Sequence, residues 1–224
     1  MTHPPLGRLK SYANAEADVT ARLLVEADLL YCSSCSARVA EYRRMGTPLP
    51  DAVFNDELAL PPFDHVWRAV TQAVVAQRRP IPTVLPPPLL AGLTHPQAWR
   101  WVTIAWPDRV KLALLIRDAD TGSALYLCHF APRSTFPRHC HLGLEENVIL
   151  AGRYRNGDTL ADAGDWVSGA PGTEEIARAE EADCWCLSRL EPPGVRFTGW
   201  RRWVAPFFSA TGMPPGGGAG SVKK

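Results

Sequence analysis

The sequence predicts an α+β multidomain chain: a small helical bundle at the N-terminus, then a β-sandwich or barrel. Two observations carry this. Up to about residue 77 the apolar residues recur at spacings of three and four. From about residue 98, short β-type runs are separated by turn signals every eight to twelve residues or so. Between them lies a stretch with six prolines and no periodicity, RRPIPTVLPPPLLAGLTHP, residues 78–96.

The first helical region spans 7–45, where Leu9, Tyr12, Ala13, Val19, Leu23, Leu24, Ala27 and Leu30 keep helical spacing. A second helix is expected over 61–77, with Phe63, Val66, Trp67, Val70 and Val74 on one face and Pro61 and Pro62 in its first turn. The domains expected are 1–77 (helical), 78–97 (Pro-rich linker), 98–190 (β) and 191–224 (C-terminal extension and Gly-rich tail). In the β region VKLALLIRD (110–118) and SALYLCHF (123–130) form a hairpin around Asp120, Thr121 and Gly122. ENVILAGRY, AGDWVSGAPG and ADCWCLSRL are further strand candidates.

Composition excludes some functions. Of 224 residues, 46% are hydrophobic and 21% charged, as in ordinary globular proteins. A net charge of +1 supports neither direct DNA binding nor a membrane surface. No apolar run reaches membrane length, and MTHPPLGRLK lacks a basic-then-apolar leader. The expectation is a cytoplasmic protein, whose six cysteines are thiols or metal ligands rather than a disulfide framework. Cys128, Cys184 and Cys186 are read as buried thiols. Trp99, Trp101 and Trp106 are read as packing for the β-domain.

Two clusters carry chemistry. In HCHLGLEENVILAG, His139 and His141 stand two apart, so on a strand both imidazoles point to one face and Cys140 to the other. Glu145 can add a carboxylate. Two imidazoles and a carboxylate suit zinc, iron, manganese or nickel. In DLLYCSSC, Asp28, Cys32 and Cys35 stand at i, i+4 and i+7, one face of a helix. This stretch reads as a redox pair, as two buried small residues, or as half of a zinc site that His3 would complete.

The first cluster resembles the first motif of the cupin superfamily, with Gly152 at the expected offset. The second motif matches AGDWVSGAPGTEEI at Gly164, Asp165, Pro171 and Gly172, with Glu175 where the motif has a histidine. From residue 3 to about 190, the chain resembles the ChrR family of anti-sigma factors. Cys32 and Cys35 match its His-x3-Cys-x2-Cys signature, His3 its early histidine ahead of Tyr12, and Asp28 replaces the signature histidine.

The resemblance implies a C-terminal cupin β-barrel (jelly roll). It implies structural Zn2+ on His3, Asp28, Cys32 and Cys35, and Zn2+ or another divalent metal on His139, His141, Glu145 and Glu175. It implies a helical domain that sequesters an ECF-type sigma factor, with a cupin domain that senses an oxidative signal and controls release. No catalysis is expected on this reading. The alternatives are a metal-dependent cupin enzyme of dioxygenase or isomerase type, and a small-molecule-sensing cupin without sigma binding.

Overall fold

The computed structural model describes residues 2–45, 101–105 and 109–198. The helix expected at 61–77, the Pro-rich stretch and the tail lie outside them.

Three helices open the chain: α1 (Leu6–Ala13), α2 (Val19–Leu29) and α3 (Ser33–Met45). The continuous helical periodicity over 7–45 is thus broken twice. Ala15 takes a positive φ of 57° after α1. Asp18 then caps α2, its carboxylate accepting the N–H groups of Thr20 and Ala21 at 2.9 Å each. At the second break the Cys32 sulfur accepts the Cys35 N–H at 3.3 Å, at the start of α3. The apolar spacing runs through both breaks because residues of all three helices enter one shared core, among them Leu9, Leu23, Leu24, Cys35 and Val39.

Among the described residues twelve strands follow: β1 (Trp101–Ala105), β2 (Val110–Arg117), β3 (Ala124–Phe130), β4 (His139–His141), β5 (Glu145–Ala151), β6 (Arg153–Asn156), β7 (Thr159–Asp162), β8 (Trp166–Gly169), β9 (Glu174–Glu175), β10 (Ala177–Ala179), β11 (Cys184–Leu190) and β12 (Val195–Phe197). They form an antiparallel six-stranded sheet, β1-β2-β3-β11-β5-β8, and two three-stranded sheets, β10-β6-β7 and β12-β4-β9. Together they make a cupin-like β-sandwich. Among the described residues no ladder of strand pairs closes it into a barrel. The β2–β3 hairpin forms where the sequence puts it, with Val110 opposite Phe130.

β3, β5 and β11 lack polar alternation because both faces are covered. Tyr126, Cys128, Phe130, Ile149, Cys184 and Cys186 enter the core shared with the small sheets. Leu125, Leu127, Val148, Leu150, Trp185 and Leu187 enter the core shared with the helices. No helix among the described residues is long and apolar enough to cross a membrane.

One buried ionic cluster ties helices to sheet. The Arg189 side chain, 2% exposed, donates to Asp18 at 2.7 Å, Glu146 at 3.0 Å, Glu191 at 2.8 Å and the Thr20 hydroxyl at 3.0 Å. Arg8 of α1 adds a two-pronged pair to Glu146 at 3.1 and 2.6 Å. Burial would raise the Asp18 carboxyl, but hydrogen bonds from Thr20, Ala21 and Arg189 hold it below its ordinary value. Arg189→Met would leave Asp18 and Glu146 as buried anions short of a partner. The expected loss is about 3–5 kcal/mol in urea unfolding, and an unchanged midpoint would refute the assignment.

Candidate metal centres

The N-terminal cluster joins two parts of the helical unit. His3 precedes α1, and Cys32 and Cys35 flank the start of α3. Their donor atoms all lie within 4.8 Å of one another. His3 Nδ1 is 3.3 Å from the Cys32 sulfur and 3.5 Å from the Cys35 sulfur. Tetrahedral zinc, about 2.3 Å from sulfur and about 2.0 Å from nitrogen, would set those atoms about 3.5 Å apart, so the spacing fits.

Asp28, on the last turn of α2, is fully buried, and neither of its oxygens has a hydrogen-bond partner. Burial pushes its carboxyl up to about 6, with Cys35 and His3 offsetting part of the effect. It adjoins the three-residue set without belonging to it. An orphaned carboxylate beside two thiols and an imidazole is a donor set that a divalent cation would satisfy. Burial raises the Cys32 thiol, but the Ser34 hydroxyl and the Cys35 N–H outweigh it and bring the thiol below its ordinary value. Burial and its neighbours Cys32 and Asp28 push the Cys35 thiol up. The helix break at Leu30–Cys32 therefore changes the expected geometry: Asp28 and Cys35 sit on different helices, not on one continuous face.

The second cluster lies in the β-sandwich. β4 buries His139 and His141, and β9 sets Glu175 directly opposite His139. Donor atoms of His139, His141 and Glu175 all lie within 4.8 Å. Glu145, at the start of β5, is 3.1 Å from His141 Nε2 and 3.8 Å from His139 Nε2, and Glu175 is 3.5 Å from His141 Nε2.

Hydrogen bonding fixes both imidazoles. His139 Nδ1 is 2.9 Å from the Pro137 carbonyl, which can only accept, so Nδ1 carries the proton. His141 Nδ1 is 2.9 Å from the Thr173 hydroxyl, whose own proton goes to the Ala170 carbonyl at 2.6 Å. Both Nε2 lone pairs therefore face the carboxylates, and His141 Nε2 is buried without a hydrogen-bond partner. Lone pairs facing anions require a cation between them: a divalent metal, or protons in its place. This arrangement fits a metal.

Burial would raise Glu145, but His139 and His141 hold its carboxyl well below the usual range. Burial and the Glu145 charge push Glu175 up to about 7, and Tyr154 donates its hydroxyl proton to it. Sequence reading missed Thr173, Tyr154, Asn147 and Ser188, which donates to Glu145 at 3.1 Å. It also missed Gly169, where a Cβ would overlap the His141 ring. Gly152 has φ of 77°, and a Cβ there would overlap the Asp183 carbonyl, which gives that motif glycine its reason.

The site opens on a cavity lined by Tyr126, Phe130, Phe136 and Phe197, with Cys128 and Cys186 facing each other across β3 and β11.

Two outcomes follow. Gly169→Ala should displace His141 and remove one metal equivalent per chain while leaving the cysteine site loaded, as read by elemental analysis. In metal-free protein, Glu175 keeps its proton to about pH 7, whereas the unfolded carboxyl loses it near 4.5. Its stabilising contribution is complete below about 4.5 and is lost as pH rises through 7. Added metal should therefore raise the melting temperature more at pH 8 than at pH 6.

Residues 91–192 match the model of the ChrR cupin-like domain family. No curated protein sequence matches the chain. Among solved structures, a chain from Rhodobacter sphaeroides SigE in complex with the anti-sigma ChrR aligns with a TM-score of 0.60 at 23% identity, covering 85% of this chain and 99% of that one. At that identity the likeness is one of fold. Weaker likenesses are to an RmlC-like cupin of Ralstonia eutropha (TM-score 0.41, 20% identity, 46% of this chain and 69% of that) and to an acetylacetone dioxygenase of Acinetobacter johnsonii (0.38, 16%, 41% and 65%). Residues 91–192 are thus similar to the ChrR cupin-like domain, and the chain as a whole shares a fold of helices and sandwich with the SigE–ChrR structure.

Proposed function

We propose that this chain is a cytoplasmic anti-sigma factor, not an enzyme, that sequesters an ECF-type sigma factor through its helical unit. The observation that carries this is the fold alignment over 85% of the chain with the SigE–ChrR structure, together with the ChrR cupin-like domain. Zn2+ at His3, Cys32 and Cys35, with Asp28 as fourth ligand, is a structural staple. It ties the segment before α1 to the start of α3, a cross-link added to the core that the helices share with the sheet. Zn2+ or another divalent ion at His139, His141, Glu145 and Glu175 belongs to a sensing domain that responds to an oxidative signal and controls release.

Several features support the sensing arm. The cavity beside the second cluster carries thiols, and its walls are apolar. The Arg189 cluster joins the sandwich to the helices, so a change at the sensing site has a short route to the sigma-binding unit.

The test is co-expression with a cognate ECF-type sigma factor. A one-to-one complex containing zinc is expected, with the N-terminal zinc and the complex both lost on Cys32→Ala. Absence of a complex, with metal held only through His139 and His141, would reject the anti-sigma reading and leave a free-standing cupin. Turnover of small substrates by such a protein would then identify it as an enzyme.

A further inference from the structure

We infer that Asp165 and Trp166 of the β-sandwich are positioning residues for the N-terminal metal site. They fasten Thr2, and so hold His3 over Cys32 and Cys35. The inference rests on the zinc reading of that site and adds that the metal is held by both units of the chain.

Thr2 and His3 precede the first helix and are exposed. Without an anchor, an exposed imidazole at this position would pay its full ordering cost on binding metal. The anchor comes from the sandwich. The Thr2 N–H donates to Asp165 Oδ1, and the Thr2 hydroxyl oxygen lies 3.3 Å from the same atom. The same hydroxyl lies 2.6 Å from the Trp166 carbonyl, which can only accept its proton. The Trp166 N–H donates to the Thr2 carbonyl at 3.2 Å. Thr2 thus pairs with the start of β8 much as a short added strand would.

Asp165 is itself fixed. It is buried, and its second oxygen accepts the Asp162 N–H at 2.8 Å. On the other side of His3 stand Pro4, buried, and Pro5, whose rings restrict the backbone leading into α1. His3 is therefore held between a clamp on the sandwich and a stiff dipeptide, with its ring 3.3 and 3.5 Å from the two sulfurs. The thiols come from the helical unit, whereas the hold on the imidazole comes from the sandwich.

The experiment uses the full chain and Zn2+, with affinity measured by competition against a chromophoric chelator and coordination read from the Co2+ absorption spectrum. Asp165→Ala should weaken the cysteine site by up to roughly 10-fold, the low end of what removing a direct partner of a metal ligand gives, because Asp165 acts on His3 through Thr2. The thiolate-to-cobalt band should persist while the ligand-field bands change. The cupin site should remain loaded. Thr2→Pro, which removes both the N–H and the hydroxyl without altering the sandwich, should give at least the same loss and serves if Asp165→Ala fails to fold. In a His3→Ala background neither change should weaken binding further.

Unchanged affinity in both variants, or an equal further loss without His3, would overturn the inference. Metal that is unaffected by Cys32→Ala in the parent chain would instead reject the zinc reading on which it rests.

Discussion

The guanidinium of Arg189 holds the helical unit to the sheet, and much of the architecture depends on it. It is buried among three carboxylates, and its charge is tolerated only because Asp18, Glu146 and Glu191 neutralise it. Its place on β11 matters as much as its partners. Side chains alternate along a strand, so Arg189 faces the helices while Ser188 beside it faces the sandwich interior and reaches Glu145. The neighbouring strand repeats the pattern, with Glu146 toward Arg189 and Glu145 toward the histidines. Two paired strands therefore carry the interface on one face and, on the other, Glu145 of the candidate metal cluster. A shift in either face is a shift of the same two backbones.

This two-faced burial also explains what was legible in the sequence. The β2–β3 hairpin could be placed because its turn residues and apolar run are local signals. His139 and His141 could be assigned to one face because strand alternation is a strict period. The breaks after α1 and α2 were not legible. They are set by Asp18 and the Cys32 sulfur acting as caps, while the helices on either side feed one core and preserve the apolar spacing across the gaps. Thr173 and Tyr154 were invisible for another reason. Their roles arise from contacts 32 and 21 residues away in the chain, which no local pattern encodes. Gly169 belongs to the same class, since its lack of a side chain is used by a ring from β4.

The two carboxylates that stand where related motifs carry histidine change the charge of both clusters in the same direction. Around a divalent ion, two thiolates, one imidazole and the Asp28 carboxylate leave one net negative charge, where two imidazoles would leave none. In the sandwich, two neutral imidazoles with Glu145 and Glu175 bring a divalent ion to neutrality, where a third imidazole would leave one positive charge. Each replacement also introduces a group that must lose a proton before it can bind metal. Burial opposes that loss, holding Asp28 near 6 and Glu175 near 7. A proton and a metal would thus compete for the same oxygens, and on the proposed reading each site would hold a cation more tightly as pH rises through these values. An ionised carboxylate costs more to desolvate than a neutral imidazole, so burying it in that form is favourable only with a cation beside it. That requirement ties the folded state of each cluster to an occupant more closely than an all-imidazole site would.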